Sequence, residues 1–181
     1  MLDGWHEFYN LLGTAAAALV ALLFVAASIG AGYISAERGS PTRTFTTPVV
    51  FHYTFVLFSS LVSLIPSNTD TSFAVIIGLR AVGALVYSGS VLRRVMRSNA
   101  KDLDDRLGYG AGPLVGYVVT LVAAVFVFER SPVGPPLLAG ALILLLLINI
   151  RNAWDLTVFS RNGVWAKRGQ ANPIKASAAL L

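Results

Sequence analysis

The stretch PLLAGALILLLLINIRNAWDLT, residues 136–157, decides the fold. From Leu142 to Ile148 every residue is Leu or Ile. A hydrocarbon layer ~30 Å thick needs ~20 apolar residues in a helix to cross it. Inside that layer only a closed backbone hydrogen-bond pattern is tolerated, so a run of this length and character reads as a transmembrane helix.

Working outward, the same signature recurs upstream. Pro132, Gly134 and Pro135 mark a tight turn before residue 136, and the run ahead of it, 113–128, is slightly short for a span. Gly108, Gly110 and Gly112 break the chain before that run. A third stretch, 72–92, leads directly into Arg93, Arg94 and Arg97. The connector Ser67–Thr71 is short, which predicts an antiparallel hairpin with the stretch 48–66. Pro48 suits the first turn of that helix and Pro66 its end. The first stretch, 11–33, is rich in Ala and Gly, and pairs such as Ala17/Ala21 and Ala26/Gly30 permit close helix approach. Trp5, Phe8 and Tyr9 precede it as an interfacial anchor. Its flank carries Asp3 and Glu7 but no Lys or Arg, the opposite of a signal peptide's basic end, so it reads as retained.

The expected fold class is therefore an all-α integral membrane protein with five transmembrane helices. Residues 1–159 form one domain, and 160–181 form a basic tail with Trp165 as a surface anchor. Composition agrees. Hydrophobic residues make up 55% and charged residues 13%, about half the usual ~25% of a soluble domain. With a mean hydropathy of +0.68, the bilayer must act as solvent. The alternation of a transmembrane β-barrel is missing. There is no cysteine, which excludes thiol redox chemistry and thiolate metal sites.

The net charge of +5 and pI of 9.9 do not point to nucleic acid, because of where the charges fall. Eleven of the fourteen Lys and Arg residues lie in three segments: Arg38 and Arg43; Arg93, Arg94, Arg97, Lys101 and Arg106; and Arg161, Lys167, Arg168 and Lys175. An odd number of spans puts all three on one side. The positive-inside rule then predicts an outside N-terminus and a cytoplasmic C-terminus in a bacterial inner membrane.

Arg80 is the sharpest polar feature. It falls near the middle of the third stretch, where a central Arg costs about 2.5–3.5 kcal/mol by insertion scales unless it is satisfied. Asp70 and Asp155 sit at helix ends, away from its level. Counting inward from the hairpin turn puts Ser59, Ser60 and Ser63 at the depth of Arg80. Hydroxyls around a guanidinium without a carboxylate make an anion site. The structural alternative is a guanidinium that bonds helix carbonyls or bends toward Asp70. A second cluster holds Asn149 and Asn152, with His52, Tyr53 and Tyr117 at comparable depth; it lines an inner vestibule or forms an interfacial network. Arg151 and Asp155 are spaced for a structural ion pair at i,i+4.

These residues carry no catalytic constellation, metal set or phosphate loop, so no enzyme, metal or cofactor is expected. The expected function is a homo-oligomeric channel or transporter with anion preference. The alternatives are an accessory subunit packed against other membrane subunits, or a haem- or pigment-binding subunit using His52.

Overall fold

The computed structural model describes residues 3–30, 41–97 and 111–170, and these are all-helical. A 3-10 turn at Asp3–Trp5 leads into α1 (His6–Gly30), followed by α2 (Pro41–Ser63), α3 (Asp70–Arg97), α4 (Gly112–Phe128) and α5 (Gly134–Gln170). Three of the five contain segments long and apolar enough to cross a membrane: His6–Ala26, Asp70–Arg93 and Gly134–Trp154. The apolar parts of the other two, Thr47–Ser63 and Gly112–Phe128, are shorter. The basic residues Lys101 and Arg106, the last part of the basic tail and the Asp155 side chain lie outside the described residues.

Several boundaries differ from expectation, each for a local reason. α2 begins at Pro41 and holds Pro48 inside it. Pro41 takes the first-turn position, where the missing N–H costs nothing, so Pro48 need not start the helix. At its other end α2 gives way to a turn, with Leu64 N–H donating to Leu61 O and Ile65 N–H to Val62 O. The residue before Pro66 disfavours helical geometry. α3 starts at Asp70 because Thr69 and Ser72 cap it reciprocally: Ser72 N–H donates to Thr69 Oγ1 at 3.2 Å, and Thr69 N–H to Ser72 Oγ at 3.0 Å. α5 continues to Gln170, into the segment read as tail.

The α4–α5 turn is tightly specified. Ser131 N–H donates to Phe126 O at 2.8 Å and Arg130 N–H to Val127 O at 3.0 Å, while Arg130 has φ 56°. This is a Schellman ending with arginine in the left-handed position usually held by glycine.

Tyr9 O–H donates to Pro135 O at 3.4 Å, which brings the N-terminal ends of α1 and α5 to the same level. Gly13 of α1 lies against Ser60, near the C-terminal end of α2. Thus α1, α3 and α5 run one way and α2 and α4 the other. Tyr9 is wholly buried, so of the expected aromatic anchor it belongs to the core.

The packing order does not follow the chain. α1 packs on α2, α2 on α5, α5 on α4, and α4 on α3; α2 and α3, though consecutive, touch only sparingly. Helices α2, α5, α4 and α3 therefore follow one another around a ring whose loosest side is the α2–α3 seam, with α1 packed outside it on α2 and α5. The reason lies in the faces. Ala81, Ala84 and Ile77 of α3 are buried, and Gly78 lies against Ala124 and Leu121 of α4. Gly116 of α4 makes room for Leu145 of α5: a Cβ there would come within 2.5 Å of Leu145 Cδ2. Large apolar side chains face outward instead, including Leu79, Val86, Val118 and Val125, as a lipid-solvated surface requires.

Candidate functional site

A stripe on α2 organises the ring interior. Phe51, His52, Phe55 and Phe58 recur at helical spacing, so they share one side of α2. That side meets α3 and α4. Phe51 packs on Tyr87 of α3, with centroids 4.3 Å apart. Phe55 meets Tyr117 of α4 edge-to-face at 4.7 Å. His52 Nδ1 and the Tyr117 hydroxyl are hydrogen-bonded at 2.5 Å, across the ring from α2 to α4. Both residues are buried. The bond satisfies two polar groups that would otherwise be stranded in an apolar interior.

Arg80 sits about ten residues into α3, ~15 Å from its start at the usual helical rise. Its guanidinium carbon lies 4.1 Å from the Phe58 ring centroid and 5.6 Å from that of Phe55. Nε is buried and has no hydrogen-bond partner. The residue as a whole is partly exposed, next to the outward-facing Leu79. Tyr117 lies close enough to interact with it electrostatically, and among the described residues no acidic side chain does so. The two rings contribute about 1–2 kcal/mol together, since Phe55 is near the distance limit and phenyl is weaker than indole. That offsets only part of the cost of a mid-span charge.

The serines expected around Arg80 are otherwise engaged. Ser59 Oγ donates to Phe55 O at 2.8 Å and Ser63 Oγ to Ser60 O at 2.6 Å, both along their own helix. Ser60 is turned toward Gly13 of α1, and its buried Oγ has no partner. Among the described residues none of these hydroxyls bonds the guanidinium. The sparing contact between α2 and α3 accounts for this, because the gap is filled by aromatic rings.

Asn149 and Asn152 are both buried on α5. Asn149 Nδ2 donates to Leu145 O at 2.6 Å, while its Oδ1 is buried without a partner. Tyr53 lies with Val49 in a separate apolar junction against Leu19, Leu23, Leu146 and Ala153. Arg151 is exposed. Among the described residues no three His, Asp or Glu side chains group as metal ligands would.

The residues missed by sequence reasoning are Phe55 and Phe58. Their spacing with Phe51 was a readable signal, but nothing local says which neighbour that stripe faces. Comparison with protein-family models, curated proteins and solved structures finds no match to this chain.

Proposed function

We propose that this protein crosses the membrane five times, N-terminus outside, and carries an anion past Arg80 as a homo-oligomeric channel or transporter of a bacterial inner membrane. One observation carries the reading. A guanidinium at mid-span rests on two phenyl rings, with its Nε unpartnered and no acid beside it among the described residues.

Further support is architectural. Helices α3 and α5 run parallel, so Arg93 and the basic end of α5 share a side, as a cytoplasmic face requires. At ~25 Å of rise, the 17 residues of α4 suffice when upright in a thin bilayer. For association, Gly83, Gly89 and Gly140 have no atom within 4 Å of where a Cβ would stand, leaving small surfaces that another helix can approach. The same surfaces favour a second reading, an accessory subunit packed on other membrane polypeptides with no catalytic role.

Flux of anions into liposomes holding the purified protein tests the first reading. Wild type should conduct, and Arg80→Ala should lose most of the flux while retaining its helical spectrum. Equal flux in both removes Arg80 from the mechanism. Gentle purification followed by mass measurement separates the two readings: a closed oligomer of this chain supports transport, and stoichiometric foreign subunits support the accessory role.

A further inference from the structure

The surroundings of Arg80 restrict which anion it takes. Resting on the anion reading above, we infer that the α2–α3 seam is a binding site for a monovalent carboxylate joined to an apolar body, held end-on by the Arg80 guanidinium.

Charge comes first. Arg80 is a single positive charge, and among the described residues no second cation stands beside it; besides the two rings, Tyr117 acts on it. A dianion such as hydrogen phosphate or sulfate would leave an uncompensated negative charge in an apolar layer, at a cost of several kcal/mol. A monovalent anion neutralises the site.

Shape comes second. The Phe58 ring centroid lies 4.1 Å from the guanidinium carbon and that of Phe55 5.6 Å from it, so the rings crowd one side of the head. Nε is sealed, which leaves the outer pair of Nη groups as the reachable edge. Two parallel N–H donors match the two oxygens of a carboxylate, whereas a spherical halide uses such a fork poorly.

The remainder of the ligand is set by what adjoins that edge. The half-buried Phe58 ring adjoins the guanidinium, and Ile76 and Leu79 of α3 face outward beside it. A hydrated small acid would gain nothing from these surfaces, while an alkyl or aryl body would be buried against them at ~25 cal/mol per Å². Such a ligand comes either from the bilayer, as a fatty acid, or from water, as an aromatic acid. The chemistry at Arg80 is the same for both.

The test uses the full chain in nanodiscs, with oleate, methyl oleate, benzoate, chloride and phosphate as probes, read by binding isotherm and thermal shift. Oleate or benzoate should bind to wild type. Methyl oleate, which keeps the tail and loses the charge, should bind at least tenfold more weakly than oleate. Arg80→Lys should weaken carboxylate binding about tenfold by losing the planar fork, and Phe58→Leu should weaken it severalfold with the charge intact. Oleate binding alone identifies a bilayer source, and benzoate binding alone a soluble one. If phosphate or chloride binds as tightly as the carboxylates and depends on Arg80, the carboxylate inference is overturned and the anion reading stands. If methyl oleate matches oleate and no anion shows dependence on Arg80, both fall.

Discussion

A hydrogen bond between His52 and Tyr117 joins two helices that are not consecutive in the chain, and its removal is a single-atom experiment. Tyr117→Phe deletes the hydroxyl and leaves an imidazole nitrogen buried without that partner. Buried hydrogen bonds lost in this way cost about 1–3 kcal/mol in soluble proteins, and membrane measurements average about 0.6. The expected loss is therefore about 0.5–2 kcal/mol, read as a lower unfolding midpoint in detergent. The double substitution His52→Phe with Tyr117→Phe should cost less than the sum of the singles, because no polar atom is then orphaned. An additive result would mean that the two side chains do not act as a pair. Arg80 obeys a different logic: its neighbours are rings rather than hydroxyls, so its contribution depends on guanidinium planarity as much as on charge.

At the scale of an element, the α4–α5 hairpin offers the clearest contrasts. Gly116→Ala places a methyl against the Leu145 side chain, and Gly134→Ala places one 2.7 Å from the Val127 backbone nitrogen. A leucine tip can swing aside, and a helix backbone cannot. Gly134→Ala should therefore destabilise more, beyond the usual 1–3 kcal/mol of overpacking, with Gly116→Ala within that range. Leu145→Val in the Gly116→Ala background should recover part of the loss; none recovered would disprove their close approach. The same turn holds Arg130 at φ 56°. Arg130→Gly removes the left-handed penalty and should raise thermal stability by about 0.5–1 kcal/mol. A decrease would show that the arginine side chain matters more than its backbone.

For the whole molecule, the alternating helix directions make a topological forecast. Single cysteines placed at Thr69 and Ser131 should react with an impermeant thiol reagent from the same side of the membrane. A cysteine at Met96, near the C-terminal end of α3, should be labelled only from the opposite side. The background chain has no cysteine of its own, so the labelling is unambiguous. Labelling of Thr69 and Met96 positions from one side would refute a spanning α3. The ring of α2, α5, α4 and α3 also predicts that α3 is held chiefly by α4. Bulky substitutions at Gly78, which faces Ala124, should thus disturb the fold more than the same changes at Gly83, where the space is open.

Helices apolar and long enough to cross a membrane, the all-helical class and the place of Arg80 within one of those helices were legible in the chain alone. Hydropathy, proline and glycine punctuation and helix length act within one segment, so a linear reading captures them. The capping pair Thr69 and Ser72 moved one boundary, and Pro41 another, through contacts only a few residues long. What Arg80 touches was decided elsewhere. Small residues at Gly78 and Gly116 let α3 dock on α4 and α4 on α5, and that docking left α2 and α3 apart. Rings then filled the seam, the serines turned to their own backbone or to α1, and Tyr9 joined the core. Which faces meet depends on the fit of knobs and gaps between segments far apart in sequence, and no single segment contains that information.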